Sequence, residues 1–180
     1  MSLDPSIALA CRVFGALVFA GALAGKLRHR HELTGVVANY RVLPASLAAA
    51  AAWGLLALEA LVVASLALGA RLAEGAGLAM ALLVVFAGAI AVNLARGRRE
   101  IDCGCFQSGL RQNLSGALIA RNLLLATALC PLLAHVGPPV QPLQWIDGLG
   151  AGMAAYGMYR ILDRLLALGR ASAELRKRFA

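Results

Sequence analysis

Long apolar stretches alternate with short polar segments along most of the chain. About 20 helical residues are enough to cross a hydrocarbon core ~30 Å thick. Four stretches reach that length: residues 6–25, 44–70, 75–95 and 114–136. Because no strand-like alternation of apolar and polar residues competes with them, the pattern predicts an all-α, polytopic membrane helix bundle with four core spans.

A fifth stretch, residues 145–168, is a weaker candidate span. Three charged residues interrupt its end: Arg160, Asp163 and Arg164. It is predicted either to cross the membrane or to lie in the interface as an amphipathic helix. Within it, Gly148 and Gly152 recur at a spacing that lets helix backbones approach closely in lipid.

The first stretch is predicted to remain as a span rather than to be removed as a signal peptide. A signal peptide carries lysine or arginine before its apolar part. This chain has "MSLDP" before that part and "KLRHR" after it.

Composition and charge agree with one integral membrane domain. The 180 residues are 61% hydrophobic with a mean hydropathy of +0.76, whereas soluble domains are about 45–50% apolar. The net charge is +8, and the basic residues gather between the apolar stretches and in the tail, 171–180. No basic patch is interleaved with aromatic residues, so nucleic-acid binding is not expected. We expect a multi-pass protein of the bacterial inner membrane. With five spans, the positive-inside rule predicts that its N-terminus lies outside and its C-terminus and tail in the cytoplasm.

Polar side chains fall within the spans, where ionisable groups are costly and usually face a partner or a cavity. They are Arg12, Glu59, Asn93 and Arg121. At ~1.5 Å per helical residue, Glu59 lies ~16 Å and Arg121 ~18 Å from the outer surface. This match predicts that Glu59 and Arg121 pair, either to fix helix register or to form a polar pocket for a substrate, a quinone or a proton route.

The segment "EIDCGCFQSGLRQN" places Cys103 and Cys105 one glycine apart, between the third and fourth spans. Such a pair can close a small, strained disulfide ring that is easily reduced. Nearby arginines favour thiolates, while Glu100 and Asp102 oppose them. The pair is therefore predicted to exchange disulfides with a partner through a mixed disulfide.

Two alternatives use the same two cysteines differently. With His29 and His31 they would supply four ligands suited to zinc, which would make the chain a metal-binding or metal-transporting membrane protein. They would instead be unreactive in a non-catalytic membrane anchor that docks a redox partner.

The other two cysteines, Cys11 and Cys130, lie inside apolar stretches. A free cysteine in such a place usually behaves as a small hydrophobe. Both are predicted to be buried structural thiols, and the alternative is a second redox pair.

Several residues along the first four spans match a known family pattern: Arg12, Lys26, "NYRVLP" at 39–44, Glu59, Asn93, "DCGCF" at 102–106 and "RN" at 121–122. Through them the chain resembles the MauE family of methylamine-utilisation membrane proteins, within the broader DoxX-like group. The family pattern continues from the phenylalanine into glycine, whereas this chain has Gln107.

The resemblance implies a redox-associated membrane protein that works beside a thioredoxin-like partner on the disulfides of exported proteins. The founding context is maturation of the methylamine dehydrogenase small subunit. Cys103 and Cys105 would be the redox pair. The resemblance also implies side chains that line or brace the bundle around that pair: Glu59, Arg121, Asn122, Arg12, Lys26 and Asn93.

Charge and chemistry disagree about the side of the membrane on which the cysteines act. Disulfide formation belongs to oxidising compartments outside the cytoplasm, whereas the charge rule places this pair at the cytoplasmic face. An inverted topology, a loop that folds back into the bundle, or electrons passed outward from a cytoplasmic reductant would each resolve the conflict. The second is preferred because Glu59, Arg121 and Asn122 indicate a polar interior. A loop docked there would be reached from the other side or by a membrane quinone acting as electron acceptor.

Overall fold

The computed structural model describes residues 4–98, 114–133 and 141–179. Within them the chain is helical and contains no strand, so the all-α prediction is confirmed. The helices are α1 (Pro5–Arg28), α2 (Arg30–Asn39), α3 (Ala48–Leu68), α4 (Leu72–Ala95), α5 (Gly116–Leu129) and α6 (Pro142–Phe179). Short 3-10 turns precede α3 and follow α5, at Ala45–Leu47 and Cys130–Leu132.

Three helical stretches of the described chain are long and apolar enough to cross a membrane: Pro5–Arg28, Ala45–Leu68 and Leu72–Ala95. They match the first three predicted spans to within a few residues at each end. The fourth predicted span is a shorter apolar helix, Gly116–Leu132, and the fifth is part of the 38-residue α6. The chain is therefore a multi-pass membrane protein, and its fourth and fifth crossings remain predictions.

The start of α1 is fixed by local chemistry. The carboxylate of Asp4 accepts a hydrogen bond from the backbone N–H of Ser6 at 2.8 Å, which satisfies one of the amides that a helix start leaves unbonded. Pro5 occupies the first helical position, where its missing N–H costs nothing. Lys26 and Arg28 lie in the last turn, where positive charge complements the helix dipole.

Helix α2 was not predicted, because the basic segment after the first span carries no long apolar run. It begins directly after His29, where the backbone leaves the helical conformation. Its Leu33 is buried against Ala52 and Leu56 of α3. That contact lays α2 along the first half of α3.

Four helices form a ring in which α1 packs against α3, α3 against α4, α4 against α5, and α5 against α1. Neighbours in the ring run antiparallel. For example, Arg12 near the start of α1 donates a hydrogen bond to the carbonyl of Leu66 near the end of α3. One end of the ring, where α1 and α4 end and α3 and α5 begin, is here called the basic end, since it carries Lys26, Arg28, Arg96 and Arg98.

Helix α6 packs outside this ring, against α1. A Cβ at Gly148 would lie 2.7 Å from the Leu9 side chain, and one at Gly152 would lie 2.7 Å from Val13. The spacing of these glycines thus serves close helix packing, as predicted. Because Gly148 meets Leu9 and Gly152 meets Val13, α6 runs parallel to α1.

The core is made of apolar side chains from all four ring helices, with Val62 and Leu66 of α3 fully buried at its centre. Large apolar side chains also face outward on the same helices, among them Trp53, Val85 and Leu124. Many exposed large apolar side chains are typical of a surface that contacts a membrane or another protein. The outward residues therefore suit contact with lipid chains.

Candidate functional site: a buried polar group set in an apolar bundle

Lys26 and Glu59 form an ion pair inside the bundle. The ammonium of Lys26 donates to Oε1 of Glu59, and the two residues are only 6% and 0% exposed. The same ammonium lies 5.1 Å from the ring centroid of Phe86 on α4, a cation–π contact. Glu59 lies eleven residues into α3, about 16 Å along the helix from its start, so Lys26 extends from the last turn of α1 toward the middle of the bundle.

The predicted pairing of Glu59 with Arg121 is wrong. Glu59 pairs with Lys26, while Arg121 donates from NH1 to Oδ1 of Asp163 at 2.9 Å. The physical reason lies in the ring, since α3 and α5 stand diagonally across it and pack on α1 and α4 rather than on each other in the described chain. The prediction used only the depth of the two residues in the membrane, and depth does not tell on which side of the bundle each residue lies.

Asp163 was not predicted as a site residue. The sequence presents it only as one of three charges that interrupt the fifth apolar stretch. In the structure it is 7% exposed, and its carboxylate joins α6 to α5 through Arg121. The sequence does contain a signal for this role, since Asp163 lies between arginines in an apolar stretch. A charge that is buried there needs a partner.

Two asparagines add neutral polar groups to the interior. Asn93 is fully buried, donates from Nδ2 to the carbonyl of Ala89 at 3.0 Å and accepts from Arg98 at 3.1 Å. Asn122 is 4% exposed, and its Nδ2 donates to none of the residues that the structure describes. A buried amide donor is costly to leave without an acceptor, at about 1–3 kcal/mol, so Asn122 adds a polar group to the interior that α5 presents near its first turns.

Arg12 lies at the opposite end of the bundle from these groups. It donates to the carbonyls of Leu66 and Ala67 at 2.6 and 2.8 Å. These carbonyls belong to the last turn of α3, which has no further amides to bond them. Arg12 therefore braces α3 and does not join the polar groups near Lys26.

Cys103 and Cys105 lie outside the described residues, but both flanks of their segment are described. Arg98 bonds Asn93 on one side, and on the other Leu114 is buried in a cluster with Ile90 and Leu118. Both flanks lie at the basic end. The two flanks of the segment that carries the cysteines therefore lie at the end of the bundle where Lys26 and Asn93 lie.

The histidines of the metal alternative differ in their surroundings. His29 is half-buried with Nδ1 3.0 Å from the carbonyl of Gly25, while His31 is exposed. Among the described residues no group of three or more metal-ligating side chains occurs. Because the two cysteines of this alternative lie outside that part, the alternative stays untested.

The prediction that the two remaining cysteines are buried is met by neither of them. Cys11 is half-buried, whereas Cys130 is exposed with its thiol 3.8 Å from the carbonyl of Ala126. Both are free thiols. Cys130 opens the 3-10 turn that ends α5, and its side chain faces outward rather than into the core.

These features define a polytopic membrane helix bundle whose interior carries a buried ion pair and a set of amides. The family model described as "Methylamine utilisation protein MauE" matches residues 4–135. The chain therefore belongs to the MauE family.

Individual relatives extend the match over most of the chain. The chain is 42% identical to the methylamine utilization protein MauE of Paracoccus denitrificans over 160 residues. This alignment covers 87% of this chain and 86% of the relative. It is 42% identical to that of Methylorubrum extorquens over 161 residues, 88% of this chain and 84% of the relative. It is 44% identical to the MauE protein of Paracoccus versutus over 152 residues, which are 84% of this chain and 81% of the relative. No solved structure matches the chain.

Proposed function

We propose that this protein is a membrane thiol–disulfide oxidoreductase that uses Cys103 and Cys105 in the maturation of exported, disulfide-containing proteins. One observation carries the proposal. The Cys-Gly-Cys segment is bounded by Arg98 and Leu114, at the end of the bundle that holds the buried Lys26 and Asn93. Two thiols one residue apart, in a segment whose two flanks lie beside a polar interior, suit exchange chemistry better than a purely structural loop.

The exchange runs with a thioredoxin-like partner. A thiolate of the reduced partner attacks the Cys103–Cys105 disulfide, forming an intermolecular S–S bond and releasing one thiolate of this chain. The second partner thiolate then attacks that mixed disulfide. The partner leaves as a disulfide, and this chain keeps two electrons and two protons as a dithiol.

Methylamine utilisation is the proposed setting, because the relatives carry that description in their names. The substrate would be an exported protein whose disulfides the partner forms. The side chains named by the resemblance would act at a distance from the sulfurs. Glu59, Lys26, Asn93, Arg121 and Asn122 would hold the polar interior, and Arg12 would brace the far end.

The proposed topology has five crossings, by α1, α3, α4, α5 and α6, in the inner membrane. Successive helices alternate in direction, and α6 runs parallel to α1, so the termini would lie on opposite sides. The basic end would face the cytoplasm by the positive-inside rule. The cysteine segment would then fold back toward the polar interior, so that the thioredoxin-like partner would reach it from the other side.

Trapping a mixed disulfide tests the proposal. Cys103→Ser and Cys105→Ser variants of the full chain are expressed with the methylamine gene set, quenched with acid and alkylated, then separated without reductant. We expect one of the two variants to accumulate an adduct that reductant dissolves and that contains a thioredoxin-like protein. Cys130→Ser is the matched control, because Cys130 is an exposed free thiol elsewhere on the chain.

Other outcomes discriminate between the classes of function. If neither variant traps a partner and the double serine variant matures exported disulfides normally, the chain is an anchor and exchange is refuted. Zinc that copurifies with the wild type and is lost from a His29/His31 double variant would replace exchange by metal binding.

A further inference from the structure

A cavity of about 240 Å³ opens beside the buried ion pair. It lies near the basic end, between α1, α2, α3 and α4. Its walls are almost entirely apolar, with Leu33 and Val37 from α2, Leu55 from α3, and Phe86 and Ile90 from α4. Lys26 is the one charged residue among the described residues that line it.

The volume narrows the class of occupant. A cavity of about 150 Å³ in a protein core holds one benzene molecule, and this one is larger by roughly half. It accommodates one substituted six-membered ring with the first carbons of a tail. A two-chain phospholipid does not fit inside it, although part of one acyl chain does.

The charges beside the cavity also limit the kind of ligand that it can bind. Lys26 and Glu59 are bonded to each other, so the polar end of the cavity is neutral as a whole. An ammonium has three donor hydrogens, and Glu59 accepts one of them. A neutral ligand with an acceptor oxygen suits the remaining donors, whereas an added anion would compete with Glu59.

The aromatic wall suits a flat ring. Phe86 lines the cavity and already lies 5.1 Å from the Lys26 ammonium. A planar ring against Phe86 would gain the stacking that aromatic pairs favour. A carbonyl oxygen on the edge of that ring would then lie toward Lys26.

We propose that this cavity binds the ring of a membrane quinone, with one carbonyl oxygen accepting a hydrogen bond from Lys26. The proposal rests on the thiol exchange proposed above and names its electron acceptor. Oxidation of Cys103 and Cys105 to a disulfide releases two electrons and two protons, and the quinone takes up both to become a quinol. Helix α4 ends at Ala95, about 8 Å along its axis from Ile90. The cysteine segment begins three residues later, after Arg98, so the cavity and the start of that segment belong to one end of the bundle.

Photolabelling of the purified full-length protein tests quinone binding without relying on thiol chemistry. The probe is an azidoquinone with one isoprenoid unit, competed by unlabelled ubiquinone-1, and labelled peptides are mapped by mass spectrometry. Ala89→Phe places a ring in the cavity, because Ala89 lines it. Gly88→Phe is the matched control, since nothing lies within 4 Å of a Cβ at the neighbouring Gly88.

We expect saturable labelling of the cavity lining in the wild type and in Gly88→Phe, and labelling weakened about tenfold, or ~1.4 kcal/mol, in Ala89→Phe. If Ala89→Phe fails to fold, Ala51→Phe fills the same cavity from α3. Labelling that no competitor displaces, or that both cavity-filling variants retain, overturns the proposal. So does a phospholipid that copurifies with the wild type, is lost from the cavity-filling variants and is not displaced by quinone.

The cysteine variants separate this proposal from the one on which it rests. None of the described residues that line the cavity is a cysteine, so the Cys103→Ser/Cys105→Ser protein should label as the wild type does. Normal labelling together with failure to trap a partner would refute thiol exchange alone. A trapped partner without labelling would refute the quinone site alone.

Discussion

Lys26 at the end of α1 and Glu59 in the middle of α3 are joined by an ion pair that is almost completely shielded from the surroundings. Each charge is tolerable inside an apolar bundle because the other is present. The pair also fixes the register of two neighbouring helices of the ring.

Removing one member of this pair should destabilise the fold. We expect Lys26→Met to lower the free energy of unfolding by about 3–5 kcal/mol, because it leaves a buried carboxylate without its counter-charge. The double variant Lys26→Met/Glu59→Leu should recover most of that loss. Unfolding in mixed detergent micelles measures both, and a double variant as unstable as the single one would contradict this account.

The second ion pair should hold α6 to α5. We expect Asp163→Asn to cost about 1–3 kcal/mol, because the Arg121 guanidinium loses a charged acceptor. Asp147→Asn is the control, since Asp147 lies exposed on the same helix. Thermal unfolding of the two variants should separate them, and equal effects would show that the pair contributes nothing specific.

Close packing of α6 on α1 should depend on single glycines. Gly152→Leu forces a side chain against Val13 and the Ala10 carbonyl, and overpacking of this kind costs about 1–3 kcal/mol. Gly150→Leu should be nearly neutral, because a Cβ at Gly150 meets nothing within 4 Å. Susceptibility of α6 to limited proteolysis reports the difference, and the prediction fails if both variants are cleaved alike.

The turn after α3 should resist substitution for two reasons. Gly69 has a φ of +71°, a left-handed conformation that costs other residues roughly 1–2 kcal/mol. A Cβ there would also lie 2.7 Å from the Arg12 guanidinium. We expect Gly69→Ala to lower the unfolding temperature, whereas Gly88→Ala on α4, with open space around it, should not.

The apolar pattern predicts the helices well, because length and hydropathy alone decide whether a segment can cross a membrane. The first three spans are found where the pattern places them. Helix α2 was missed, since a ten-residue amphipathic helix is stabilised by its contact with α3 rather than by its own sequence. Leu33 makes that contact, and only the folded chain shows it.

Most members of the polar interior were predicted, Asp163 being the exception, but the pairs that they form were not. Glu59, Asn93 and Asn122 are buried, while their role around the cysteine pair stays a prediction. Their partners depend on the order of helices around the ring, about which depth carries no information. Lys26 shows the same limit, because its place in a basic segment at the end of a span does not reveal that its ammonium bonds Glu59 inside the bundle.

Helix α6 overshoots its neighbour. Since Gly148 is level with Leu9, the end of α1 at Arg28 is level with about residue 167 of α6, and the twelve residues beyond it extend about 18 Å further. A soluble protein that approaches the basic end would contact the last turns of α6 on one side before it contacts the four-helix ring. The projecting helix limits the directions from which such a protein can dock. The shape of this end therefore restricts which proteins can bind before any side chain is recognised.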